Sequence, residues 1–419
     1  MWILTRTPTT TALPRHVVPL LLFALLLACG DAGDGRATGI AGTLDGPDLI
    51  VNAATEEVFT VGSAVGDTWD TFGNVRSVHF DAQANLHVFD SQFDHILVVG
   101  PDGSLVRTVG GQGEGPGEFD NVISAIVARD GSYKVLGFTQ IDLLEPTGEF
   151  VRRISMDPRT TGMVNASLAL PDGRLVVTQI ARFGQGDQPE EAGRPIHLFA
   201  LDGTEPELHY TAWELPEEDA DGTELSGDLE TGMRMRLAAG RAFEPRLDID
   251  VLADGRLALI DSIGYRVKLI GLDGSVTGTI ERPIAPLPVD DAIREAERER
   301  YREGEAASLA GRRNTSLPLQ IDRAGVEERT FADEVPVLYG VKVDWEDRIW
   351  VERRGPTGDD DGPTDIVTAA GDYIGTLAAD GLRTPDAFGP EGLMAYIERD
   401  DLDVPTVRVV RLIALEPQG

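Results

Sequence analysis

One cysteine in 419 residues excludes internal disulfides and any metal cluster built on two or more thiolates of this chain. Positive charge is scarce as well. Against 71 acidic residues stand 37 lysines and arginines, a formal charge of -34, so the folded body repels a phosphate backbone and nucleic acid is excluded as a partner. Long hydrophobic runs are missing: the apolar stretch at 17–28 carries 12 residues, and a spanning helix needs about 20. Motifs of common chemistry are missing too. There is no G-x-S-x-G elbow, and the glycine-rich segment 111–117 has no phosphate-binding lysine and carries Glu114 in its middle. His79, His87, His95, His197 and His209 show none of the short spacings of a zinc site. The acidic segments 219–224 and 359–362 lack the twelve-residue pattern of a calcium loop and read as solvated turns. What is present is 42% hydrophobic and 26% charged residues with 47 glycines and 25 prolines, the composition of a globular chain with a core, many turns and many short strands.

Arg6 and Arg15 precede the apolar stretch, which ends in Leu26-Leu27-Ala28-Cys29. This ending resembles the lipobox of bacterial lipoprotein signal peptides. The resemblance implies that residues 1–28 are removed and that Cys29 becomes an N-terminus carrying several acyl chains, palmitate among them, the multiple attachment that stable membrane association demands. Gly30 follows the cysteine, so the aspartate signal for inner-membrane retention is not formed. The resemblance then points to the outer membrane, facing the periplasm or the cell surface. Residues 29–46 are glycine-rich and aperiodic and read as a flexible tether.

The body of the chain repeats itself. Residues 86–110 and 257–281 align without a gap, sharing Asp90/Asp261, Ser91/Ser262, Gly100/Gly271, Asp102/Asp273, Gly103/Gly274 and Ser104/Ser275. Each copy reads as strand, turn, strand, Asp-Gly turn, strand. Weaker copies lie at 124–156, 166–210 and 339–377. Five units of four strands at this spacing predict a β-propeller. The segment 395–414 supplies inner strands with no outer strand after them, and 56–64 supplies an outer strand with no inner ones before it. Together they complete a sixth blade, closing a six-bladed propeller over 47–415 with its ends joined in one sheet. Apolar runs such as Ile96-Leu97-Val98-Val99 and Leu257-Ala258-Leu259-Ile260 suit blades packed between two neighbours.

The segment 111–119 with the strand after it, and residues 90–96, resemble NHL-type six-bladed propellers. Residues 344–351 (DWEDRIWV) and 401–412 (DLDVPTVRVVRL) resemble the bacterial six-bladed propeller lipoproteins. This resemblance covers roughly 47–415 and implies architecture more than chemistry, because the fold hosts binding scaffolds, lactonases and lyases.

The turns within the repeats are tight on one side, whereas the long insertions, 183–195, 213–245, 283–335 and 355–363, are all connections of the other side. Decorated loops on a rigid scaffold predict a recognition surface there, and with it a monomeric, non-enzymatic module for an unknown protein or small-molecule ligand. Loops can also drift wherever insertion is tolerated. Within the longest insert, residues 290–303 predict a largely solvated helix capped by Asp290 and stopped at Gly304. Asn74, Asn121 and Asn165 recur near the starts of successive inner strands, where asparagine can ligate an ion or satisfy turn backbone. Arg76 and Arg246 fall near the same mouth, as holders of an anionic ligand or as partners of local acids. The resemblance to gluconolactonase-like propellers implies the alternative: a channel-centred, calcium-dependent lactonase or hydrolase using the three asparagines.

Overall fold

The computed structural model describes residues 44–64, 68–119, 122–156, 163–181, 193–202, 204–213, 224–228, 232–237, 240–310, 319–323, 325–400 and 402–418. Four of its sheets have four strands each, in chain order from first to fourth. Sheet A holds Val75–Phe80, Leu86–Asp90, His95–Val99 and Leu105–Gly110. Sheet B holds Ser124–Val127, Tyr133–Leu136, Gln140–Leu144 and Phe150–Ser155. Sheet C holds Met163–Ala169, Leu175–Ala181, Arg194–Phe199 and Glu207–Ala212, and sheet D holds Asp248–Val251, Leu257–Ile260, Arg266–Ile270 and Val276–Glu281. Sheet E has eight strands. Leu338–Val343, Arg348–Arg353, Thr364–Thr368 and Tyr373–Leu377 are followed across the sheet by Ile50–Val61, Pro405–Pro417, Leu393–Arg399 and Ala387–Phe388.

Where the sequence predicts six separate blades, the described residues form four four-stranded sheets and this double one. The cause is local. The N-terminal strand begins at Ile50, six residues before the expected start at 56, and its first residues pair in parallel with sheet E's fourth strand, Ile50 opposite Thr376 and Val51 opposite Leu377. Beyond that contact it runs antiparallel to the C-terminal strand, with Phe59 opposite Val409 and Val61 opposite Val407. Head and tail of the described body therefore share one sheet and cover each other's edges.

The arrangement is propeller-like. First strands of successive sheets adjoin one another in chain order, and Ala387–Phe388 adjoins the first strand of sheet A. Residues alternate between two neighbours, which explains the doubly apolar runs. Ile96 and Val98 pack with Ala125, Val127 and Tyr133 of sheet B. Leu97 and Val99 pack with Leu393, Val407 and Val409 on the other side. In sheet D, Leu257 and Leu259 join Leu170 and Val176 of sheet C, while Ala258 and Ile260 join Val341 and Ile349 of sheet E. Similar clusters lie between sheets B and C and between the two halves of sheet E. Each fully buried Leu, Ile or Val contributes about 1.5–3 kcal/mol.

Asp-Gly turns hold the strands in register. Asp102 accepts bonds from the Ser104 amide (3.1 Å) and hydroxyl (2.6 Å) while Gly103 takes φ +79°. The Asp130/Ser132, Asp202/Thr204 and Asp273/Ser275 turns repeat the device. The segment ahead of the N-terminal strand is anchored by a buried ion cluster. Arg282 reaches Asp365 (2.8 Å), Asp48 (3.0 Å) and the carbonyl of Gly46 (3.2 Å), and Arg353 reaches Asp48 at 2.6 Å.

The two longest inserts build on each other. Gly232–Leu237 of the first pairs in parallel with Leu319–Arg323 of the second, and Arg241–Ala242 pairs with Thr330–Phe331. Ala242, Phe243, Val289, Ile293 and Val335 form a small shared core. The helix α1 spans Asp291–Ala310, with Asp290 capping it by accepting the Ile293 amide at 2.9 Å. The expected stop at Gly304 is passed. A single interior glycine costs only about 1 kcal/mol relative to alanine, and the Glu-Ala-Ala-Ser-Leu-Ala run after it favours helix. No helix among the described residues is long and apolar enough to cross a membrane.

Candidate functional site

A cavity of about 770 Å³ runs along the axis where the first strands meet. Its walls come from the finishing ends of those strands and the tight turns after them: Val78 to Phe80, Ile126 to Ser132, Ser167 to Gly173, Asp248 to Ala253, Val341 to Trp345 and Asp386 to Phe388 contribute. The inserts attach before the first strands of sheets D and E, so the cavity opens on the opposite side, beside the plain turns. Across that mouth the Arg129 guanidinium stacks on Trp345, 4.5 Å from the ring centre. Trp345 is held by donating its indole N–H to the Phe388 carbonyl at 2.8 Å.

Charged groups along the walls differ in how they are satisfied. Asp248 and Asp250, alternate residues of sheet D's first strand, accept the amides of Val341 (2.8 Å) and Val343 (2.7 Å) on the adjoining first strand of sheet E. They stitch two edges that no strand pairing joins. Burial pushes both carboxyls up, Asp250 to about 6, with the amide bonds, the Arg246 charge at Asp248 and the Lys342 charge at both opposing. Lys342 donates to the carbonyls of Pro385 (2.8 Å) and Asp386 (3.3 Å). Burial, with the nearby His87 ring, lowers His79 to about 4, so it is neutral at physiological pH. Its Nε2 is buried without a hydrogen-bond partner. Lys134 reaches the cavity from the second strand of sheet B and makes no hydrogen bond or ion pair to a described residue; it is 8% exposed.

Just behind the turns, two acids repeat one structural role. Asp81 accepts the amides of Gln83 and Asn85 (both 2.9 Å) and pairs with His87 Nε2 at 3.1 Å. Burial raises it, but the bonds from His87 and Asn85 prevail and hold it below the usual carboxylate range. His87 Nδ1 in turn meets the Tyr133 hydroxyl at 3.1 Å. Asp344 does the same in sheet E, accepting from the Arg348 amide (2.9 Å) and the Trp350 indole (3.0 Å).

The residues singled out in the sequence lie elsewhere. Asn74 sits at the start of sheet A's first strand, donating its amide to Ser91 Oγ at 2.7 Å. Asn165 is exposed in sheet C's first strand, opposite Gln179. Arg76 and Arg246 are exposed and unpaired among the described residues. Asn121, like Cys29, lies outside the described residues. None of the four described ones lines the cavity, and sheet B separates Asn74 from Asn165. Among the described residues no group of three or more His, Cys, Asp or Glu is placed to hold a metal ion. Sequence reasoning missed Lys134, Asp248, Asp250, Arg129 and Trp345, and weighed His79 only as a zinc ligand. Their common signal is position: all but Lys134 fall on a first strand or the turn that ends it.

No protein-family profile matches the chain, and no curated protein matches it. Solved structures do resemble it. A member of the DUF4221 family from Bacteroides vulgatus is 12% identical, with a TM-score of 0.50 over 89% of this chain and 100% of that one. A candidate exported protein from Bacteroides fragilis is 10% identical, TM-score 0.45, over 88% and 96%. A candidate gluconolactonase is 14% identical, TM-score 0.38, over 90% and 99%. The first of these supports the fold and nothing finer.

Proposed function

We propose that this chain is an exported six-bladed propeller of the NHL-repeat-like lipoprotein kind, anchored to the outer membrane through lipid on Cys29. It binds a protein or small-molecule partner on its insert-bearing side and performs no chemistry on it. The blade count treats the eight-stranded sheet as two units. Six first strands contribute to the axial cavity, and six apolar clusters succeed one another around the described body. The membrane anchor is supported by the lipobox-like ending at Cys29 and the glycine-rich stretch after it.

The observation that carries the binding reading is the joint accessory layer. Two inserts separated in the chain by the whole of sheet D pair strand to strand and share a core, and α1 is pinned onto it by Glu297 with Arg329 at 2.7 Å and by Arg298 over Phe331. Drifting loops have no reason to acquire a common core; a presented surface does. Arg76, Arg246, Asn74 and Asn165, at the starting ends of first strands on the same side, would add polar contacts.

Site-specific photo-crosslinking in the intact cell envelope tests the reading. A crosslinker at the exposed Glu299 of α1 is expected to give a discrete adduct, and one at Asp273 in a plain turn is expected to give none. Equal labelling from both positions, or no adduct from the insert side, overturns it.

A further inference from the structure

The chain has three lysines against 34 arginines, and their surroundings set one apart. Lys268 is committed within sheet D and its neighbour, 2.7 Å from Asp261 and 3.1 Å from the Tyr210 hydroxyl. Lys342 is committed to two carbonyls. Lys134, more than nine-tenths buried, has no such partner among the described residues and is the one cavity-lining residue contributed by a second strand. An ammonium on a side chain so enclosed, held by no direct hydrogen bond or ion pair among the described residues, is costly, and an apolar residue would fill the position at less expense. Burial pulls its pKa down, while the attraction of Asp130, which forms no direct ion pair with it, opposes.

We infer that Lys134 is the recognition cation of a second binding site, in the axial cavity on the turn side, for a small organic monocarboxylate. A single negative charge fits the surroundings. Asp130, Asp172, Asp248, Asp250 and Asp386 line the same cavity against Lys134, Lys342 and Arg129, so acids outnumber cations and a dianion such as phosphate or sulfate meets more repulsion there than a monoanion does. The volume of about 770 Å³ lies in the range of small-molecule sites. Apolar wall residues, Ile126, Leu168, Leu170 and Ile249 among them, suit the carbon portion of the ligand. His79, neutral at physiological pH, also lines the cavity and adds no charge to it. The stacked Arg129 and Trp345 stand where such a ligand would enter.

The test uses the full mature protein labelled at lysine Cε with ¹³C, whose spectrum holds only three side-chain signals. Pyruvate, lactate and gluconate are titrated, with inorganic phosphate, sulfate and lactamide as comparisons, and thermal unfolding is monitored in parallel. At least one carboxylate is expected to move the Lys134 signal and raise Tm, with the three comparisons inert. Lys134→Met is expected to melt higher than the parent without ligand and to bind about ten- to a hundredfold more weakly, the loss of one charge-assisted bond. Should Lys134→Met fail to fold, Lys134→Gln gives the same comparison. An unmoved Lys134 signal with every carboxylate, undiminished binding in the variants, or a phosphate or sulfate response as large as the carboxylate response overturns the inference. None of these outcomes bears on the insert-side surface, which the crosslinking experiment reads separately.

Discussion

Two single groups on the axis titrate in opposite senses, and their effects on stability can be separated. Asp250 rises from its ordinary 3.8 to about 6, so the folded state holds its proton more tightly than the unfolded one. Its contribution is fully present below about pH 4 and is lost as pH rises through 6. His79 falls from 6.5 to about 4; its contribution is present above 6.5 and is lost as pH falls toward 4. Relative to the parent, Asp250→Asn should therefore gain stability as pH rises from 4 to 6, and His79→Gln as pH falls from 6.5 to 4. Urea unfolding at half-unit pH intervals checks both slopes; parallel curves for parent and variants would contradict them. These residues were invisible as a set in the sequence. Asp248 and Asp250 read as ordinary strand acids until the fold lays them against the amides of Val341 and Val343.

At the scale of elements, the repeat alignment found the strands because each needs two apolar faces, and runs such as Ile96-Leu97-Val98-Val99 advertise that need. Leu97 fills the interface between sheet A and the C-terminal strands at 2% exposure. Leu97→Ala should cost about 2–5 kcal/mol, read from the denaturation midpoint. The helix was legible in kind and misjudged in length. Gly304 marks a stop only if the residues after it cannot stay helical, and a Cβ there would meet nothing within 4 Å. Gly304→Ala should accordingly stabilise by up to about 1 kcal/mol; a loss instead would mean that the glycine is needed by a contact its surroundings do not show. The pairing between the two inserts was not legible, since Gly232–Leu237 and Arg241–Ala242 meet partners some 85 to 90 residues away and have no repeat copy to compare with.

For the whole molecule, closure is the decisive feature. Removing residues 44–61 deletes the strand that covers both the C-terminal strand and the end of sheet E's fourth strand. The truncated chain should lose amide-exchange protection at Val407, Val409 and Val410 and associate through its bared edges, measured by hydrogen exchange and light scattering. Unchanged protection and a monodisperse monomer would show that closure contributes little.

The sequence by itself determined the all-β repeat, the complementarity of its two ends, and the tight turns with insertions opposite, because these arise from alternation, Asp-Gly geometry and segment length, all local properties. It also set the acidic balance that leaves so few cations to explain. Only the tertiary structure decided which side chains share the axis, that two distant inserts form one layer, and that the closing strand fuses with its neighbour's sheet. Those outcomes depend on packing between residues far apart in the chain, where a one-residue difference in where a strand begins is enough to change what it touches.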